Sequence, residues 1–282
     1  MRIILIFLSV FVLSSCSIFS KGKSSKPSKN VARILKSKDP EYKLRMAEQF
    51  YVKKKYNKAQ QLYEDVMPYF RPLKEFEHIY YKYTYCAYYQ EDYFNAQNLF
   101  KTYLEIFPTS PRAEEMDYMK AYCYYKLSPK PELDQTNTIK AMNLMQIFIN
   151  THPGSARNKE ANEIIDICRG KLETKDHNSA QLYFDLGQYR AAGVAFTTLL
   201  NSYPESMKAD EYMLMIIKSY YHFAELSVEE KKKERFEQVV SEFNNFTDRF
   251  PDSKLKQEAE HYYNLSLNNI KNLSNEQTKT SA

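Results

Sequence analysis

The chain has 282 residues, long enough for a sizeable core, with 40 Lys and Arg against 35 Asp and Glu, five glycines, no tryptophan and 25 tyrosines. So little glycine excludes a sheet protein built on tight turns, and the phosphate-cradling loops of nucleotide enzymes. Abundant tyrosine, lysine and glutamate point instead to an all-α protein whose helices pack through aromatic rings. The first element in chain order is a leader: Arg2 precedes an uncharged run from Ile3 to Leu13, of secretory length and too short to span a bilayer. Leu13-Ser14-Ser15-Cys16 closes that run as a lipobox. Residues 1–15 then read as a lipoprotein signal peptide, and Cys16 as the first mature residue, carrying an N-acyl diglyceride that anchors the chain in lipid.

Residues 16–38 read as a lipidated tether. Lys21, Lys23, Lys26 and Lys29 alternate with Ser, Gly and Pro, and no acidic residue precedes Asp39. So polar a stretch buries too little apolar surface to fold, so a flexible linker is expected. Ser17 stands where an aspartate would favour inner-membrane retention, which points to the outer membrane. The absence of acidic residues just after Cys16 points to its periplasmic face. Without leader and tether the two charge signs balance, so no nucleic-acid partner is expected.

Beyond the tether a phrase recurs: aromatic or His, then Pro, any residue, Ser. It is Phe107-Pro108-Thr109-Ser110, His152-Pro153-Gly154-Ser155, Tyr203-Pro204-Glu205-Ser206 and Phe250-Pro251-Asp252-Ser253, with prolines 45, 51 and 47 residues apart. Proline stops one amphipathic helix and serine is placed to cap the next. Twelve residues before Pro108 and Pro204 stand Ala96 and Ala192, each with Tyr three before (Tyr93, Tyr189) and Phe four after (Phe100, Phe196). A small residue followed by an aromatic one at i+4 puts a close approach and a filling ring on one helix face. Ala180 and Tyr183 hold the matching places in the preceding helix, and Ala47, Phe50, Tyr56, Ala59 and Tyr63 repeat the roles earlier.

This is the tetratricopeptide (TPR) pattern, lengthened by insertions. The spacing predicts an all-α TPR superhelix of about five helical hairpins, at 41–69, 76–108, 112–153, 173–204 and 208–251, plus a C-terminal capping helix from 253 to about 271. Ser128 to Thr138 reads as a long loop within the third hairpin, and Ser155 to Cys168 as a helical segment running into the fourth. The domain reading is N-terminal repeats 1–3 over 39–154, repeats 4–5 and the capping helix over 155–272, and a disordered tail over 273–282.

Catalytic chemistry is not legible. No nucleophile elbow, Walker loop, zincin or dinucleotide phrase is present, and His78, His152, His177, His222 and His261 have no second ligand at i+4. Neither enzyme, metal nor cofactor is expected beyond the lipid on Cys16. Cys86, Cys123 and Cys168 lie in apolar helical stretches without a Cys-x-x-Cys pair and read as buried, unreactive thiols, one disulfide between two of them being the alternative in an oxidising periplasm.

Several phrases carry a resemblance. Lipobox and short tether lead to Lys54-Lys55-Tyr56-Asn57-Lys58-Ala59; YYKYTYCAYYQEDYFNAQNLFKTYLEIFPTSP spans 80–111; Asp134-Gln135-Thr136 precedes Ala141; and AQLYFDLGQYRAAGVAFTTLLNSYP spans 180–204. In these the chain resembles the BamD family, TPR lipoproteins of the machinery that assembles outer-membrane β-barrels, over nearly all of its mature length. The resemblance implies a non-enzymatic scaffold with three partners: the central β-barrel subunit, held by the C-terminal repeats; unfolded outer-membrane clients, met by the N-terminal repeats; and outer-membrane lipid through the acyl chains. Departures from the family, with some Trp and Arg missing and Lys and Tyr enriched, fall on partner contacts rather than on the fold. Stacked first helices line a groove suited to an extended peptide. Counting the second hairpin's first helix from Glu77 puts His78, Tyr81, Tyr85, Tyr88 and Tyr89 in that groove, and the first hairpin adds Tyr51. Tyr189, Arg190 and Tyr212 are the candidate partner surface. The alternative is another periplasmic TPR adaptor, linked to cell division or peptidoglycan; no heptad run before residue 41 supports it.

Overall fold

The structure is a computed structural model that describes residues 29–280. The signal peptide, Cys16 and Lys21 to Lys26 of the tether lie outside the described residues, as do the last two residues of the tail. Within the described residues all regular structure is helical. The chain divides into two compact units, one up to Ile79 and one from Tyr80 onward.

The first unit holds α1 (Lys29–Leu35), α2 (Pro40–Val52), α3 (Tyr56–Phe70) and the start of α4 (Glu75–Tyr89). Asp39 begins α2 by accepting the Tyr42 N–H at 3.0 Å, and Pro40 supplies the preset first-turn φ. Ala47 and Ala59 are fully buried, which lets α2 and α3 close around Phe50, Leu62, Tyr63 and Val66. The Lys43 ammonium sits 2.6 Å from Asp65, its side chain only 8 % exposed. Helix α1 corrects the expectation of an unstructured tether as far as residue 38. Val31 and Ile34, one turn apart, are both buried, and α1 packs on α3 and α2. Two apolar residues at helical spacing suffice once a finished hairpin offers them a surface.

In the second unit α4 continues into α5 (Tyr93–Ile106), α6 (Ala113–Leu127), α7 (Thr136–Thr151), α8 (Asn158–Asp185), α9 (Tyr189–Ser202), α10 (Ala209–Glu225), α11 (Glu229–Arg249) and α12 (Lys256–Thr280). From α5 on, each helix packs against the next in sequence. Counted over both units, five hairpins and a closing helix give the TPR architecture that the repeats predict.

Each aromatic-Pro-x-Ser phrase folds identically. The aromatic residue's N–H makes the last helical bond (Phe107 to Tyr103 O, 2.8 Å; Phe250 to Phe246 O, 2.8 Å) and its own φ,ψ leaves the helix, at −126°, 59° for Phe107 and −130°, 61° for Phe250. The residue before proline is disfavoured in the α region, and proline fits the second place of the turn that follows. Serine closes that turn, its N–H donating to the aromatic carbonyl at 3.2 Å for Ser110 and 3.0 Å for Ser155. The expectation of a serine N-cap needs correcting: the helix N-cap is two residues further on, and the serine Oγ accepts that residue's N–H, as from Arg112 at 3.0 Å and Lys208 at 3.1 Å. In three of the phrases its hydroxyl hydrogen goes to a carboxylate of the previous hairpin's first helix, Ser155 to Glu114 at 2.5 Å, Ser253 to Asp210 at 2.7 Å, and Ser206 to Glu173, while the Ser110 hydroxyl lies 3.0 Å from that of Tyr103.

Inside three hairpins the reversal needs a left-handed residue, supplied by Lys54 (φ 55°), Glu91 (φ 60°) and Gly187 (φ 71°). The next N–H reaches back five residues, Lys55 to Phe50 O at 2.8 Å and Gln188 to Tyr183 O at 2.9 Å, satisfying carbonyls at the helix end. In the third hairpin the loop holds buried Gln135, whose amide donates to the Lys130 and Leu133 carbonyls at 2.7 and 3.0 Å.

Two boundaries differ from the sequence reading. The division between units falls at 79/80, within α4, whereas the segment after 154/155 runs on as the single helix α8, which packs on α7 and on α9. Helix α12 continues to Thr280, through most of the expected disordered tail, with Ile270 and Leu273 packed on the C-terminal core.

Candidate functional site

The first helices of the second and third hairpins carry a run of aromatic rings. On α4, Tyr81, Tyr85, Tyr88 and Tyr89 follow one another at 4.8 Å (81–85), 6.0 Å (85–88) and 5.5 Å (88–89). Spacings of three and four keep them on one side of the helix. Tyr88 extends the run to Tyr93 of α5 at 5.7 Å and to Tyr122 of α6 at 6.4 Å, and Tyr122 is stacked on Tyr118 at 5.8 Å.

A polar frame fixes these rings. Glu115, in the first turn of α6, accepts from Tyr85 at 2.5 Å and from Tyr81 at 3.3 Å, while the Arg112 guanidinium lies 4.4 Å over the Tyr81 ring. Half of the pattern recurs one hairpin on: Arg157 lies 4.7 Å over Tyr118, whose buried hydroxyl has no hydrogen-bond partner among the described residues. Burial, and then Glu115, push the Tyr85 phenol far above its ordinary value; Tyr118 is raised by burial and then by Glu160. Tyr88 is pushed up to about 12 by burial, reinforced by Tyr122 and Tyr93. All of these hydroxyls therefore stay neutral donors at physiological pH, and the rings offer large faces with a polar tip.

The predicted groove residues separate into two kinds. Tyr85 is buried, its ring 5.4 Å from Phe100 of α5, so it builds the wall and does not face an occupant. Tyr81 and Tyr88 are half-buried and Tyr89 is 46 % exposed. In the first unit Tyr51 is half-buried against Tyr56 at 5.6 Å and Tyr63 at 6.3 Å, and His78 is exposed in the first turn of α4. Sequence reading missed Arg112, Glu115, Tyr118 and Tyr122. A signal for the first two was present, since Arg or Lys follows the turn serine by two and Glu by five in Ser110-Pro-Arg112-x-x-Glu115, Ser155-x-Arg157-x-x-Glu160 and Ser206-x-Lys208-x-x-Glu211.

The expected partner surface near α9 also divides. Tyr212 is buried, its hydroxyl donating to Glu173 at 2.7 Å, so it belongs to the core. Tyr189 is half-buried against His222 at 4.9 Å and Phe184 at 5.3 Å. Arg190 is exposed and lines a shallow apolar depression of about 520 Å³ with Tyr183, Val194 and Ala195. Leu182, Leu186 and Val194 are themselves more than half exposed in this region.

Cys86, Cys123 and Cys168 are buried, and burial pushes the Cys123 thiol up to about 12. Among the described residues no three His, Cys, Asp or Glu side chains are grouped to hold a metal, and no helix is long and apolar enough to cross a membrane.

A family model described as YfiO, outer membrane lipoprotein, matches residues 38–235. No curated protein matches the chain. Among solved structures, a TPR2AB-domain:pHSP90 complex of yeast Sti1 is similar at 11 % identity and a TM-score of 0.36, covering 80 % of this chain and 98 % of that one. The apo form of RapI is similar at 13 % identity and a TM-score of 0.30, covering 84 % and 99 %.

Proposed function

Since the chain belongs to the YfiO family of outer membrane lipoproteins, the family of BamD, we propose that it is a non-enzymatic subunit of the machinery that inserts β-barrel proteins into the outer membrane. In this reading Cys16 carries the lipid, which holds the chain at the periplasmic face. The family match over residues 38–235 carries the proposal, because it takes in most of the hairpins and not one repeat alone.

Two surfaces support the role. The tyrosine stripe of α4 and α6, with Tyr81, Tyr88 and Tyr89 accessible and Arg112 and Glu115 holding its geometry, suits an extended client segment rich in apolar and aromatic side chains. The depression beside Arg190, lined by Tyr183, Ala191 and exposed Val194, suits a folded domain of the central barrel subunit. A scaffold needs docking faces and no reacting groups, and neither surface presents a nucleophile with an activating base.

The test is affinity purification of the lipidated protein from detergent-solubilised outer membrane, together with its depletion in cells. The large barrel subunit should co-purify and β-barrel levels should fall on depletion. Co-purification of division or peptidoglycan enzymes instead, with barrel levels unchanged, assigns the chain to the alternative adaptor class.

A further inference from the structure

The reversal between α2 and α3 breaks three local rules in quick succession, each time in favour of lysine. Lys54 holds a φ of 55°, a conformation for which the fourth hairpin has Gly187. Lys55 is the N-cap of α3 and makes no side-chain bond to it, whereas Asp92 caps α5 by accepting the Asn95 N–H at 3.3 Å. Lys58 stands in the first turn of α3, where the helix dipole disfavours a cation, and no acidic residue shares that turn. A chain that gives up stability at a turn it could build without strain keeps those side chains for another purpose.

What the side chains share is positive charge that nothing neutralises. Lys53, Lys54 and Lys55 are exposed, and none has an ion-pair partner among the described residues. No Asp or Glu stands between Glu48 and Glu64, and Glu48 already accepts the Tyr63 hydroxyl at 2.8 Å. The repeat does not demand this charge. The corresponding turn is acidic in the second hairpin, Gln90-Glu91-Asp92, and neutral in the fourth, Leu186-Gly187-Gln188. Val52, just before the lysines, is 77 % exposed, and an apolar side chain beside a basic cluster suits a head-group surface with acyl chains beneath it. Covalent geometry favours lipid over a free acidic protein. Helix α1 begins at Lys29 and packs on α3 and α2, so the tether runs into this same unit. The chain from Cys16 to Lys29 spans at most about 45 Å, and α3 is about 22 Å long. A lipid on Cys16 would therefore hold the lysines within reach of head groups at high effective concentration.

We propose that the turn from Lys53 to Lys58 docks on anionic phospholipid head groups, a second foothold beside the lipid anchor that orients the first hairpin on the membrane. The proposal rests on the lipidation of Cys16 and not on a role in β-barrel assembly. The test takes the full mature chain with Cys16→Ser, so that the turn acts without the lipid, and sediments it with vesicles containing phosphatidylglycerol. It should bind these and not vesicles of phosphatidylcholine alone, and binding should fade with added salt. A lysine near an anionic surface is worth about fivefold in affinity. Lys53→Gln, Lys54→Gly and Lys55→Gln together should therefore weaken binding about tenfold or more. The unfolding midpoint of that variant should stay at or above the parent's, since the strained residue has become glycine. Acetylation of Lys53, Lys54 and Lys55, read by mass spectrometry, should slow when vesicles are added, and should still slow after Lys21, Lys23 and Lys26 are changed to Gln. Equal vesicle binding by the turn variant and the parent, equal binding to both kinds of vesicle, or acetylation that vesicles leave unchanged would each overturn the proposal. Mass spectrometry of the protein matured in cells tests the anchor separately: an unmodified Cys16 overturns the anchor reading alone, whatever the vesicles show.

Discussion

Tyr85 donates to Glu115 at 2.5 Å, joining residues 30 apart in sequence, so the first helix of one hairpin is bonded to the first helix of the next. The ring is buried and its hydroxyl has lost water, so the carboxylate is its replacement solvent. Glu115→Ala should therefore cost about 1–3 kcal/mol, measured as a lower urea midpoint. Glu115→Gln keeps an acceptor oxygen in place and should lose less. Equal losses in both variants would mean that charge, not hydrogen-bond satisfaction, holds the joint.

Alkaline pH should unfold the protein in a defined window. Burial raises the phenols of Tyr85, Tyr118, Tyr203 and Tyr212, and takes Tyr88 and Tyr221 to about 12. A folded-state pKa above the unfolded value of about 10 means that the folded chain holds protons the unfolded chain releases. That contribution is complete below pH ~10 and is lost as pH rises through about 12. Tyrosinate absorbance and loss of helical dichroism should accordingly rise together over this range. Tyrosines that all titrate near the ordinary value while the helices persist would refute it.

The left-handed turn residues offer a gain. Lys54 and Glu91 hold φ of 55° and 60°, where a Cβ is crowded and glycine is not. Lys54→Gly and Glu91→Gly should each raise stability by about 0.5–1 kcal/mol, less than the full strain because glycine also loosens the unfolded chain. Gly187→Ala should lower it by about 1 kcal/mol, since φ 71° is already occupied by the residue that tolerates it. Thermal midpoints of the three variants check both signs.

Lys43 and Asp65 test a buried charge. With Lys43 nearly closed off from water and Asp65 about a third exposed, Asp65→Ala leaves an ammonium without its counter-charge and should cost about 2–3 kcal/mol. Lys43→Met, which removes the charge and keeps the stem's packing, should be neutral or stabilising. Chemical unfolding of the two variants side by side separates these outcomes.

The hairpins were legible because proline acts locally: Pro108, Pro153, Pro204 and Pro251 end a helix whatever surrounds them. The left-handed positions were not, because Lys54 and Glu91 stand where only Gly187 has the residue type that announces the geometry. Helix α1 stayed hidden for another reason. Val31 and Ile34 are too few to define a helix alone and are decided by the hairpin they cover. In the candidate site, spacing identified the stripe from Tyr81 to Tyr89 but not which ring turns inward. Tyr85 is buried because Phe100 and Glu115, 15 and 30 residues on, receive its two ends.

That distinction gives the functional prediction. Tyr89 is 46 % exposed at the end of α4, so Tyr89→Ala removes a large face from the stripe while taking little from the core. Its unfolding midpoint should stay close to the parent's, a surface change being worth about 0.5 kcal/mol at most, while binding of a synthetic peptide copying the C-terminal strand of an outer-membrane barrel should weaken. Tyr85→Ala should behave in the opposite way, losing about 3–5 kcal/mol through the emptied space beside Phe100. Tyr85→Phe keeps that packing and removes only the donor to Glu115, so it should fall between the two. Peptide titrations and denaturant curves on the three variants decide the matter: a Tyr89→Ala chain that binds the peptide as tightly as the parent removes the α4 stripe from client recognition and leaves its tyrosines to packing alone.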